Sequence, residues 1–193
     1  MDVVTDPRPD GRRLRGERNK EAVVLALLSL FDAGEIEPSA ARVAEVAGVS
    51  ERSVFRYFLD KDDLDSTAMT LQWERVKHLY DGLDDTGSFD ERLTAILEHR
   101  LRLFDAVRGV MTASSVREHR SEVIRSASDL RRKILRKQVA RQFAPEIADR
   151  PYVARAADVA LSLETLLYLA DQYSRATLRH TVETTLRGIL GEH

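Results

Sequence analysis

Residues 39–61 read Ser39-Ala-Ala-Arg-Val-Ala-Glu-Val-Ala-Gly-Val-Ser-Glu-Arg-Ser-Val-Phe-Arg-Tyr-Phe-Leu-Asp-Lys61, and this stretch decides the fold. Ala40, Val43, Ala44 and Ala47 recur at helical spacing. Ser39 precedes them, where a hydroxyl can accept from an orphan N–H of the first turn. Gly48 follows them, where a helix end calls for a left-handed residue. Val49 plugs the turn. Ser50 is placed to cap a second helix through Val54, Phe55 and Phe58. Two helices joined by a short Gly-containing turn predict a helix-turn-helix. The alanines of the first helix let the second approach closely.

The second helix carries Glu51, Arg52, Ser53, Arg56 and Tyr57 around the apolar side of Val54 and Phe58. That surface suits a DNA major groove. Arg52 and Arg56 are candidates for guanine contacts, and Ser53 and Tyr57 for phosphates. Glu51 can accept from cytosine or balance Arg52, and Phe55 can meet a thymine methyl. The bland alternative is a helical hairpin with a solvated outer face, and the pattern alone leaves the two level.

A wider match separates them. The chain has Ala26-Leu27-x-x-Leu30-Phe31-x-x-Gly34, then Ser39-x-x-x-Val43-Ala44-x-x-Ala47-Gly48-Val49-Ser50. It continues with Ser53-Val54-Phe55-Arg56-Tyr57-Phe58 and Asp60-Lys61-x-x-Leu64. These residues resemble, without gaps, the DNA-binding domain of the tetracycline-repressor (TetR) family. Ala41 stands where that family often has a basic residue, Phe55 where Tyr is usual, and Ser39 and Ser53 where Thr is. The resemblance implies a phosphate contact from Lys61. The candidate DNA-binding set is therefore Ser39, Ser50, Glu51, Arg52, Ser53, Phe55, Arg56, Tyr57 and Lys61.

Composition agrees with an all-α protein. Of 193 residues 43% are apolar, enough for a core, while Pro, Gly and strand-like runs are few. The absence of cysteine excludes disulfides and Cys-ligated zinc. No apolar run approaches the ~20 residues of a membrane span, and no secretory signal pattern is found, so the chain is expected to be cytoplasmic. Net charge is −2, but Arg8, Arg12, Arg13, Arg15, Arg18 and Lys20 face only Asp10 and Glu17 within residues 8–20. Such an arm can neutralise phosphates. A second basic run, Arg131, Arg132, Lys133, Arg136, Lys137 and Arg141, reads mainly as a solvated helix face.

The expected organisation is a flexible basic arm (1–14), a three-helix helix-turn-helix head (15–61) and a larger helical ligand-sensing and dimerisation domain (62–193). The first helix should span about Gly16 to Ala33. A fourth opens at Asp60-Lys61-Asp62-Asp63 and runs to about Tyr80. Ser88-Phe89-Asp90-Glu91 resembles a capping box for the next helix, with a break expected at Thr112–Ser115. A polar helix from about Arg120 to Phe143 should turn Val123, Ile124, Ala127, Leu130, Ile134, Leu135 and Val139 inward. Pro145 to Pro151 reads as a connector. Two helices, about 152–173 and 175–190, close the chain. The former is apolar on more than one side, so a second copy packed through these last two helices is the simplest cover.

A two-fold dimer would present two reading helices to a palindromic double-stranded DNA operator. In the resembling family a small-molecule effector binds among the C-terminal helices and separates the heads. Trp73, Arg100, Phe104, Met111, Glu164 and Tyr168 are the candidate lining residues. Arg100 and Glu164 read either as partners of each other, or Arg100 as the holder of an anionic ligand group. No catalytic, metal or cofactor motif emerges: His78, His99, His119, His180 and His193 lack ligand spacing, and no Gly-rich loop follows a strand. The function expected is a ligand-responsive repressor. The alternatives are an activator of the same fold, or a helical ligand-binding or scaffold protein that has lost DNA binding.

Overall fold

The computed structural model describes residues 11–191. Among them it contains helices and no strand: α1 (Gly11–Asp32), α2 (Ala40–Ala47), α3 (Glu51–Tyr57), α4 (Lys61–Val76), α5 (Phe89–Arg117), α6 (Glu122–Gln142), α7 (Ala144–Ile147), α8 (Pro151–Ala160), α9 (Leu163–Gln172) and α10 (Arg175–Leu190). Residues 1–10 of the expected arm lie outside the described residues. Among the described residues no helix is long and apolar enough to cross a membrane.

The local signals account for the helix-turn-helix. The Ser39 hydroxyl accepts from the Arg42 N–H at 3.2 Å, and the Ser50 hydroxyl from the Ser53 N–H at 3.2 Å. Gly48 closes α2 at φ 67°, in the left-handed region where a side chain would be strained. Asp60 caps α4 by accepting from the Asp63 N–H at 2.8 Å. Ser88 and Glu91 form the full capping box of α5.

Four boundaries differ from expectation. α1 starts at Gly11 instead of Gly16. α4 ends at Val76 and continues only as a tighter 3₁₀ turn over Lys77–Tyr80. α5 does not break at Thr112–Ser115 but runs on to Arg117. There the Thr112 hydroxyl donates to the Arg108 carbonyl and the Ser115 hydroxyl to the Thr112 carbonyl, so these polar residues are satisfied inside the helix. The expected 152–173 helix is two helices. Ser162 caps α9 by accepting from the Thr165 N–H, and the Thr165 hydroxyl donates to the Val159 carbonyl across the break. The Pro145–Pro151 connector contains the one-turn α7.

Two apolar clusters hold the molecule. The first gathers Val23, Val24, Leu27, Leu28 and Phe31 of α1 with Val43, Val54 and Phe58, but also Leu64 and Ala68 of α4 and Val110 and Ala113 of α5. The second, in the body, gathers Leu93, Ile96, Leu97 and Phe104 of α5 with residues of α6, α8, α9 and α10. The head thus shares its core with α4 and α5. Gly109 permits this: a Cβ there would meet Asp32 Cα and the Phe31 carbonyl oxygen, each at 2.7 Å.

Candidate nucleic-acid interface and body clefts

α3 turns Val54 into the head and leaves Glu51, Arg52, Phe55 and Arg56 exposed. Phe55 is 65% exposed and Leu59, just past the helix, 93%. Large apolar groups left in water on a short helix mark a surface with a use. The Arg56 guanidinium lies 4.9 Å over the Tyr57 ring and donates to its hydroxyl at 2.9 Å. Hydrogen bonds from Asn19 of α1 and from Arg56 pull the Tyr57 pKa below its usual value. Lys20 of α1 sits 5.0 Å over the Phe58 ring. These contacts bring α1 to the end of α3, so exposed Arg13, Arg15 and Arg18 extend the basic character of that face. Lys61 is exposed at the start of α4, 3.8 Å from Glu37.

Ser39 and Ser50 are exposed but engaged as caps, and Ser53 is half-buried with its hydroxyl 2.8 Å from that of Ser50. The whole set drawn from the sequence therefore falls on one end of the head. Arg42, on the outer side of α2, is instead held by Glu35 at 3.1 Å and Glu45 at 2.8 Å. Those bonds raise its pKa, Glu45 first.

The candidate effector residues of the body divide. Trp73, Met111, Glu164 and Tyr168 line two clefts. One, about 350 Å³, lies between α4, α5 and α6, bordered by Met69, Trp73, Val76, Val107, Met111 and Leu130. The other, about 470 Å³, lies between α5, α6 and α9, bordered by Arg108, Met111, Arg131, Arg132, Glu164 and Tyr168. Phe104 lines neither; it is a core residue, 3% exposed, under the Arg108 guanidinium at 5.9 Å. Arg100, 1% exposed, also lines neither.

Arg100 and Glu164 do not pair. Glu164 accepts from Arg131 at 3.1 Å and Arg132 at 3.0 Å, while Arg132 also grips Glu118 at 2.8 and 3.0 Å. Burial pushes the Glu164 pKa up, but its own backbone N–H and the two arginines outweigh that and leave it lowered.

The basic run of α6 is therefore not simply a solvated face. Lys133 and Lys137 are exposed, but the Arg131 side chain is only 16% exposed. Ile124, Ser128, Leu135, Gln138 and Gln142 are the buried line of α6, and Arg131 falls at the missing step of that 3–4 repeat. Its phase was the signal that could have placed it inward. Leu130, expected inward, is 56% exposed at the rim of the α4–α5–α6 cleft.

No protein-family model and no curated protein matches this sequence. Solved structures do. A TetR-family transcriptional regulator from Streptomyces coelicolor superposes with a TM-score of 0.70 at 20% identity, covering 90% of this chain and 80% of its own. The chain carries the fold of a TetR-family regulator. A transcriptional regulator from Rhodococcus sp. Rha1 gives 0.67 at 19% identity, with 89% and 95% covered. A candidate transcriptional regulator from Streptomyces coelicolor A3(2) gives 0.65 at 18%, with 91% and 99% covered. The all-α expectation and the resemblance seen in the head extend, as fold, over nearly the whole chain.

Proposed function

We propose that this protein is a ligand-responsive transcriptional regulator, a repressor that binds a palindromic operator as a homodimer in the cytoplasm and leaves it when a small molecule occupies the body. The observation that carries the reading is α3. It is a short helix capped at its start, anchored by Val54, with Arg52 and Arg56 in solvent beside Phe55. A groove-entering helix needs that combination of rigid seating and free donors.

The second copy is proposed to sit on α8, α9 and α10, the structural form of the last two helices expected from sequence. Val159, Tyr168 and Tyr173 are exposed there, and α10 offers small Ala176, Thr177, Thr184 and Gly188 outward. Two reading helices would then meet half-sites about one helical turn, roughly 34–36 Å, apart or more.

The link to a ligand is α4. Its Leu64 and Ala68 belong to the head's core, while its Met69 and Trp73 line the α4–α5–α6 cleft. A molecule in that cleft that prefers one setting of α4 shifts the population of head spacings. The test is duplex-DNA binding by mobility shift over a salt series. Affinity should fall steeply with salt, and Arg52→Ala and Arg56→Ala should each relax preference at one position of the bound site. No shift at low salt would overturn the reading.

A further inference from the structure

Arg100 of α5 is 1% exposed, and none of its three guanidinium nitrogens has a hydrogen-bond partner among the described residues. A buried charge normally comes with a partner, because water that solvated it has been removed. Burial has pulled the Arg100 pKa down to about 10, with Tyr80 and Asp158 opposing. Asp158 is already taken, accepting from Arg136 at 2.9 Å. The Nε of Arg131 is also buried without a partner, although its terminal nitrogen reaches Glu164 at 3.1 Å. Both guanidinium charges act on Tyr80.

The Tyr80 ring lies 5.1 Å from that of Trp73, which lines the α4–α5–α6 cleft. Among the described residues lining this cleft only Arg131 is charged; the walls are chiefly Met69, Val76, Val107, Val110 and Leu130. The largely apolar cleft therefore borders one guanidinium with an unused N–H donor, Arg131, while Arg100, outside its lining, is a second that acts on the same Tyr80.

We propose that the effector is an amphipathic carboxylate: its apolar body fills the α4–α5–α6 cleft, and its carboxylate lodges beside Tyr80, accepting from Arg131 Nε and from Arg100. This deepens the sensor reading and rests on it. The charge count selects the head group. Glu164 already balances Arg131, which leaves one positive charge, on Arg100, to be matched. A monoanionic carboxylate matches it, and its two oxygens fit the guanidinium fork. A phosphate dianion would bring an excess negative charge into a buried site. Arg100 on this account weakens the free protein and strengthens the complex.

The sequence contains one Trp, so Trp73 fluorescence reports on the cleft directly. Full-length protein is titrated with straight-chain carboxylates from hexanoate to palmitate, with methyl decanoate and with decyl phosphate. At least one carboxylate should bind saturably, roughly ten- to a hundredfold tighter than its methyl ester, as charge-assisted hydrogen bonds imply. Arg100→Met should raise the melting temperature of the free protein, lose that carboxylate preference and bind the ester as the parent does. Arg100→Lys should retain part of the preference. Four outcomes each overturn the proposal: no carboxylate binds; ester and acid bind alike; decyl phosphate binds as tightly as decanoate; or Arg100→Met binds acid like the parent. A lower melting temperature in Arg100→Met also overturns it, by making Arg100 a structural residue. Ester that binds and releases DNA, with acid no better, would keep the sensor reading and remove only the carboxylate.

Discussion

Arg117 of α5 and Asp65 of α4 form an ion pair closed to solvent, their side chains 5% and 2% exposed, with the guanidinium 5.5 Å over the ring of Phe31. Both helices lend residues to the head's core, so the pair fastens α4 to α5 beside α1. Removing one partner leaves the other charge buried and alone. Asp65→Ala should cost about 3–5 kcal/mol in urea or guanidinium unfolding. The double change Asp65→Leu with Arg117→Met should recover most of that loss, because an apolar pair of similar volume does not need to be desolvated as charge. A single variant as stable as the parent would remove the pair from the account of how the head is held.

A second prediction concerns pH. His99 of α5 is buried, and burial first, then the charge of Arg100, pushes its pKa down to about 4 from 6.5; the Leu79 carbonyl offsets part of this. The folded protein therefore keeps His99 neutral where the unfolded chain would protonate it. Its contribution to stability is complete above pH 6.5 and is lost as pH falls toward 4, by roughly 3 kcal/mol in all. Glu118, Glu146 and Glu164, with pKa values lowered below 4.5, lose their contributions only further down. Urea midpoints measured between pH 7 and 4.5 should fall for the parent and stay nearly level for His99→Leu. Parallel slopes would show that another group titrates.

Gly109 supplies a third. A methyl group there would collide with α1 backbone, at Asp32 Cα and the Phe31 carbonyl, where no side chain can swing away. Gly109→Ala should lower stability by about 1–3 kcal/mol despite the better helix propensity of alanine. Thermal unfolding checks it.

The helix-turn-helix was legible because its signals are local. Ser39, Gly48 and Ser50 each act on residues within one turn, and the chain needs nothing distant to read them. Long helices are less legible. Thr112 and Ser115 look like a break but bond back to their own helix, and Ser162, which does start a new helix, looks no different in sequence. Phase put Ile124, Leu135 and Val139 of α6 inside, but it also put Leu130 there, which is exposed. The fate of charges was not legible, since partners come from elsewhere in the chain. Glu164 goes to Arg131 and Arg132, and Arg100 is left alone.

The roles assigned on α3 predict a graded response to mutation. Arg52→Ala and Arg56→Ala should each cost about 1–3 kcal/mol on the preferred site and relax selectivity at one base-pair position. Lys61→Ala should weaken all duplexes alike and reduce the salt slope by about one. Fluorescence anisotropy on matched and scrambled duplexes at several salt concentrations separates the two patterns. Equal behaviour of all three variants would mean that α3 touches only backbone.

The central claim is that two copies of α3 read DNA side by side. Selection of bound duplexes from a random pool by the full-length protein tests it most directly. The account predicts enrichment of an inverted repeat whose half-sites lie about one helical turn or more apart, relaxed at one position of each half-site on Arg56→Ala while the dimer persists in solution. Enrichment of nothing, or of a single unrepeated half-site by a monomer, would contradict it.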